Sequence, residues 1–348
     1  MKILVRATNW VGDAIMALPA LRALRGRFPE AQISVVARPY VADIYRDQDI
    51  CDRLVAYDPR AAHAGLSGRE RLAEELRSQK FDLAVLLQNA FDAAWLAWRA
   101  GVHERIGYAR DGRSVLLTKA VPVPRPGEIP AHEQFYYLEL LRRAGLVDNP
   151  TGENFISLNV NQEAKRQAGA QLASVGARAD AMRIAVGAGA SYGSAKCWPP
   201  DRFAHVADRL TAEFDADVIL FGTAAERPVT AAIASAMKHS PIDLAGKTVI
   251  AELPALLSQC HLFIGNDSGA MHVAAAVGLP VVAVFGPTDP GGTAPVTPRC
   301  TVVQDKPYCS PCFLRRCPTD HRCMRRVSPD AVAAAARFWL ASAEVRPA

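Results

Sequence analysis

Asn266, Asp267, Ser268 and Gly269 form a polar knot in the stretch FIGNDSGAMHVAAAVGLPVVAVFGPTDP, with His272 shortly after and apolar runs on either side. A turn that opens a helix leaves free N–H groups and the positive end of the helix dipole at its start, which favours an anion. Asp267 or Ser268 equally fits a plain capping role, and His272 a satisfied core histidine. Two further turns carry matching chemistry. In AVGAGASYGSAKCWPP, Gly187, Gly189 and Gly193 let backbone approach a ligand while Lys196 adds a point charge, a combination suited to a pyrophosphate. The competing reading is that these glycines only shape a tight turn. In RATNWVGDAIMALPAL, Asp13 follows Gly12 ahead of a helix and reads either as its N-cap or as a carboxylate held as general base.

The same stretches bound the chemistry from the other side. The glycine spacing around Gly187 misses G-x-G-x-x-G, and no acidic residue stands convincingly about 20 residues on, which weighs against an NAD-dependent oxidoreductase. A Walker A loop is also absent from the sequence. Cys309, Cys312, Cys317 and Cys323 follow C-x2-C-x4-C-x5-C spacing with His321 among them. That is not the paired C-x-x-C pattern of a strong zinc signal, so reduced cysteines packing a loop are preferred over a structural zinc. Arginines threaded through this tail motivate a rival of another class, a zinc-bearing nucleic-acid binder. Arg22, Arg25 and Arg27, like Arg315, Arg316, Arg322, Arg325 and Arg326, read first as solvated faces and second as contacts to an acidic membrane surface.

Positioning such turns requires strands that end at them. The 348 residues favour two domains, and with 50% apolar and 22% charged residues the chain can bury ordinary cores. KILVR, QISVVAR, RLVAYD and FDLAVLLQ read as strands, alternating with helical spacing over 13–27, 68–79 and 91–100. AVPVPRPGEIP is too proline-rich for a helix, and helical spacing resumes over 132–146. The second half repeats the scheme. RIAVGAGA, DVILFG, HLFIG and PVVAVFG are strands, with helices over 201–214, 225–237, ELPALLSQC and 269–277. Repeated β-α-β implies an α/β fold of two doubly wound parallel sheets facing a cleft, divided into 1–165 and 166–348. Ligands of such sheets bind beyond the carboxyl ends of the strands, where all three turns lie.

VAAAVGLPVVAVFG falls short of the roughly 20 residues of a membrane span, and the start, MKILVRATNW, lacks a secretory apolar core of about 7 to 15 residues. The chain is therefore expected in the cytoplasm, where disulfides are not expected.

MKILVRATNWVGDAIMALPALRALR, GASYGSAKCWPPDRFA, DLAGKTVIAELPALL and FIGNDSGAMHVAAAVGLPVVAVFGPTDP, in that order, resemble the bacterial ADP-heptose:lipopolysaccharide heptosyltransferases of glycosyltransferase family 9. NWVGD, AKCWP and CSPCFLRRCPTDHRCM look most like the heptosyltransferase II group, which adds the second heptose of the inner core. The resemblance implies a GT-B fold of two Rossmann-like domains, acceptor in the first and ADP-heptose in the second, and inversion at the anomeric carbon. It implies Asp13 as catalytic base. Ser191, Tyr192, Lys196, Ser268, Gly269 and His272 would bind the diphosphate, although family members often carry two small hydroxyl residues where Ser191 and Tyr192 stand. Asp267, with Lys196, would hold the donor sugar, Glu226 the ribose hydroxyls, and Thr248 the adenine through its main chain. No metal or cofactor is required, and the partners implied are ADP-heptose, a lipid A-Kdo-heptose acceptor and the cytoplasmic face of the inner membrane, met peripherally by a monomer without nucleic acid. Addition to Kdo, as by heptosyltransferase I, or use of another nucleotide-activated sugar is the alternative.

Overall fold

The computed structural model describes residues 1–344; positions 345–348, the end of the second expected domain, lie outside the described residues. The chain divides into two compact units, Met1–Glu153 and Asn154 onward. The division precedes the 165/166 boundary suggested by sequence because the Ile156 and Leu158 amides already donate to Val296 and Ala276 of the second unit, at 3.1 and 2.8 Å.

In the first unit β1 (Lys2–Arg6), β2 (Gln32–Ala37), β3 (Arg53–Ala56), β4 (Leu83–Leu86), β5 (Glu104–Tyr108) and β6 (Lys119–Val121) form one parallel sheet in the order β3-β2-β1-β4-β5-β6. Helices must cover both faces of such a sheet, so its central strands are apolar throughout: Ile3, Leu4 and Val5 of β1 and Leu83, Ala84, Val85 and Leu86 of β4 are all buried. The last two strands were not legible in the sequence. β6 has three residues and stops at Pro122, which offers no N–H to continue a ladder and is tolerated at this sheet edge.

The helix expected over 13–27 is two helices, Val11–Met16 and Leu18–Arg27, with Ala17 between them. Pro19 explains the break, since its ring opposes the carbonyl four residues earlier and it lacks the N–H that would bond there.

The second unit repeats the design. β7 (Arg183–Gly187), β8 (Asp217–Phe221), β9 (Ile242–Asp243), β10 (Leu262–Asn266), β11 (Val281–Phe285) and β12 (Cys300–Gln304) are parallel in the order β12-β11-β10-β7-β8-β9. Ile184, Val186, Ile264, Val282 and Val284 pack against Trp198, Phe203 and Leu210, with the Trp198 and Phe203 rings edge to face at 4.9 Å. The helix Gly269–Ala276 is buried along most of its length, as its run of small apolar residues requires. Among the described residues no helix is long and apolar enough to cross a membrane.

Strand order reverses next to β1 in the first sheet, where β2 and β4 lie on opposite sides, and next to β7 in the second, where β8 and β10 do. At such a switch point the connections leave in opposite directions and open a crevice at the carboxyl ends. The turn carrying Asp13 follows β1, and the turns carrying Lys196 and Asp267 follow β7 and β10.

Candidate functional site

Asp13 is not the helix cap. Trp10 occupies the cap position of Val11–Met16, its carbonyl accepting from Ala14 N at 2.8 Å, and Asp13 lies half-buried within the first turn. Its charge reaches two buried phenols. Burial pushes Tyr137 well above the ordinary tyrosine range and the Asp13 carboxylate adds to the rise; Tyr45 is raised in the same way, burial first. Tyr45 Oη donates to Ala14 O at 3.0 Å, so it holds the same helix turn in place.

At the β7/β10 switch the structure brings Lys196 and Asp267 together. Lys196 Nζ stands 2.5 Å from Asp267 Oδ2, and Thr288 Oγ1 donates to the same oxygen at 2.7 Å. The two charged side chains are 11% and 6% exposed, so their attraction is little screened by water. Asn266, wholly buried, serves structure: its Oδ1 accepts from Trp198 N at 3.0 Å and its Nδ2 donates to Ala188 O at 2.6 Å, tying the end of β10 to both sides of the Lys196 turn. Ser268 caps Gly269–Ala276, accepting from Met271 N at 3.4 Å, and His272 is buried one turn into that helix. Thr288, three residues beyond the end of β11, was not singled out from sequence, although it lies in the PTDP end of the same stretch as Asp267.

Tyr192 organises the opposite side. Its ring lies 4.7 Å from Lys196 Nζ and 5.4 Å from Arg315 Cζ, and its hydroxyl donates to Phe313 O at 2.5 Å. Ser191 beside it is exposed. Arg315 and Phe313 belong to the cysteine-rich tail, which braces the whole turn. Ala195 N donates to Arg315 O at 3.1 Å, and His321 Nε2 donates to Ala195 O at 2.7 Å. A Cβ on Gly193 would stand 2.2 Å from Arg315 O, so only glycine permits this approach.

Within that tail Cys323 is buried and its thiol pushed up to about 11, by burial first and then by Cys312, Cys309 and Cys317. All four thiols are free. Among the described residues no group of three or more His, Cys, Asp or Glu side chains is arranged to hold a metal ion.

Glu226 closes the far end of the turn. Its carboxylate fills the space beside Gly189, where a Cβ would come 1.9 Å from Oε1, and it accepts from Thr223 N at 2.7 Å and Thr223 Oγ1 at 3.0 Å. Arg227 next to it donates to Ala245 O and Gly246 O, at 3.2 and 3.0 Å, and so pins the loop that carries Thr248. The second unit thus gathers Lys196, Asp267, Thr288, Tyr192 and Arg315 at one point, with Glu226, which follows β8, set against Gly189 at the other end of the Lys196 turn. Asp13 belongs to the first unit.

Residues 69–322 match the profile of glycosyltransferase family 9 (heptosyltransferase). The chain belongs to this family. This glycosyltransferase is 28% identical over 320 residues to lipooligosaccharide heptosyltransferase 2 of Haemophilus influenzae, covering 87% of the chain and 88% of that protein. It is 29% identical over 311 residues to lipopolysaccharide heptosyltransferase 2 of Salmonella typhimurium, with the same coverage. Among solved structures it resembles the ADP-heptose lipopolysaccharide heptosyltransferase II of E. coli with a TM-score of 0.83 and 26% identity, over 99% of this chain and 100% of that one. Its two doubly wound sheets are the GT-B architecture of these enzymes. Of the readings the sequence left open, oxidoreductase, nucleic-acid binder or glycosyltransferase, family membership selects the last.

Proposed function

We propose that this glycosyltransferase moves L-glycero-D-manno-heptose from ADP-heptose to the heptose I residue of the lipopolysaccharide inner core, with inversion. The observation that carries the reading is the buried Lys196–Asp267–Thr288 array at the β7/β10 switch, beside the amino end of Gly269–Ala276. A leaving nucleoside diphosphate gains charge as the anomeric bond breaks, and a fixed cation with helix N–H groups stabilises that charge. Lys196, Ser191, Tyr192, Ser268, Gly269 and His272 receive the diphosphate. Asp267 accepts from heptose hydroxyls as Lys196 turns toward phosphate, Glu226 takes the ribose hydroxyls, and the Thr248 main chain meets adenine. No cofactor takes part in this scheme.

Asp13 removes the proton of the acceptor hydroxyl while its oxygen attacks C1; the C1–O bond to ADP breaks on the opposite side, which inverts the centre. The acceptor, a lipid A-Kdo-heptose, is met at the cytoplasmic face of the inner membrane by a peripheral monomer. The test is an assay with ADP-L-glycero-D-manno-heptose and acceptors bearing zero or one heptose, with products read by mass. Addition only to the one-heptose acceptor is expected. Addition only to the heptose-free acceptor would instead assign transfer to Kdo.

A further inference from the structure

The cysteine-rich tail does more than brace one turn. Residues 310–315 run between two turns at the carboxyl ends of the second sheet. At the end of β11, Ser310 Oγ donates to Gly286 O at 2.6 Å, and the Cys312 and Phe313 amides donate to Pro287 O at 3.0 and 2.8 Å. At the end of β7, Phe313 O accepts from Tyr192 Oη at 2.5 Å and Arg315 O accepts from Ala195 N at 3.1 Å. These are the turns that carry Thr288 and Lys196. Anchored at both ends, this backbone has little freedom, so the place of the Arg315 side chain is set by the fold.

The Arg315 guanidinium lies over the Tyr192 ring at 5.4 Å, and Lys196 Nζ stands 4.7 Å from the same ring, so two cations share one aromatic surface. Their mutual repulsion calls for an anion. Asp267 answers for Lys196 at 2.5 Å, whereas among the described residues Arg315 has no carboxylate partner. The Lys196 and Asp267 charges cancel, so the guanidinium is what leaves this point net positive. Arg315 is also exposed, and a ligand arriving from solvent can reach it. A planar guanidinium fork matches two phosphate oxygens at once, and contact with a ring keeps the fork oriented.

We propose that Arg315 is a second cation for the donor diphosphate: the cysteine-rich tail presents it at the mouth of the site, Tyr192 orients it, and its fork takes phosphate oxygens beside Lys196. The tail is then a working part of the donor site. Transfer releases the diphosphate from its sugar ester and adds negative charge to it, so a cation already in place favours the departure. The inference deepens the proposed function and rests on its reading of the donor as a nucleoside diphosphate sugar.

The test is calorimetry with ADP and NMR titration with adenosine, which carries no phosphate, on the whole protein and on Arg315→Gln, Arg315→Lys and the neighbouring, equally exposed Arg316→Gln. ADP affinity is expected to fall about tenfold in Arg315→Gln, to be partly restored in Arg315→Lys and to stay within about twofold in Arg316→Gln, with adenosine bound alike by all four. Unchanged ADP affinity in Arg315→Gln would overturn the assignment. So would an equal loss in Arg316→Gln, the sign of a diffuse positive field, or an equal loss of adenosine, the sign of a distorted site. A wild-type protein that binds ADP through Arg315 but transfers no heptose would overturn the functional reading and leave the residue's role standing. Heptosyl transfer by Arg315→Gln with wild-type ADP affinity would do the reverse.

Discussion

Lys196 Nζ and Asp267 Oδ2 are 2.5 Å apart in a place where neither side chain is more than 11% exposed. The sequence groups the two, by resemblance, as holders of the donor sugar, with Lys196 also on the diphosphate, but does not show that they form an ion pair. On the proposed donor site each sets the other's availability, and a donor would compete with Asp267 for the Lys196 charge. Asp267→Asn, which keeps an acceptor oxygen for Thr288 but frees Lys196, should tighten binding of ADP alone several-fold while slowing heptosyl transfer. Calorimetry with ADP and a turnover assay check this; weaker ADP binding in the variant would show that the pair does not compete with phosphate.

Removing Lys196 instead leaves Asp267 buried and unneutralised. Lys196→Ala is expected to lose about 3 kcal/mol of stability as well as donor affinity, and Lys196→Ala with Asp267→Ala to lose less than the sum of the two single changes. Denaturant melts of the three variants measure the coupling, and simple additivity would contradict it.

Gly189 and Glu226 make a more local test. The clash of a Gly189→Ala methyl falls on the end of a flexible carboxylate, 1.9 Å from Oε1, so the fold should survive while Glu226 is displaced. Donor KM should rise as much in Gly189→Ala as in Glu226→Ala, and the double variant should be no worse than either. A further loss in the double variant would mean that Gly189 acts by some route other than Glu226.

Asn266 bears on stability. Asn266→Ala strands the buried Trp198 N and Ala188 O, each costing about 1–3 kcal/mol. A clear drop in melting temperature is expected, and a variant as stable as wild type would show that water or a shift of the turn replaces the amide.

The cysteine tail should be chemically graded. The Thr319 hydroxyl and backbone N–H groups lower the Cys317 thiol, whereas Cys323 is raised to about 11. A lower pKa gives more thiolate at pH 8, so iodoacetamide should label Cys317 well before Cys323, as peptide mass mapping would read out. Faster labelling of Cys323 would contradict the arrangement.

The sheet architecture was legible because buried parallel strands are continuous apolar runs, and KILVR, FDLAVLLQ, HLFIG and PVVAVFG could be little else. β5 and β6 were not, since ERIGY mixes charge with glycine and KAV is too short to show a period. Asp13, Lys196 and Asp267 stood out in the sequence because each is a charged residue at a strand-to-helix turn. The pairing of the last two did not, because Lys196 and Asp267 sit on turns 71 residues apart that only the β7/β10 adjacency joins. Arg315 escaped for a similar reason: in the sequence it is one arginine of many in a basic tail, and only the packing of that tail on Gly193 and Ala195 brings it over Tyr192.

The proposed mechanism divides labour between the units, with proton removal by Asp13 in one and donor binding by the Lys196–Asp267 array in the other. The direct measurement is the affinity for ADP-heptose and the rate of heptosyl transfer in Asp13→Ala, determined on the same preparation. Transfer reduced at least about a hundredfold with donor affinity within a factor of about two is expected. Donor affinity lost along with transfer, or transfer retained, would contradict it.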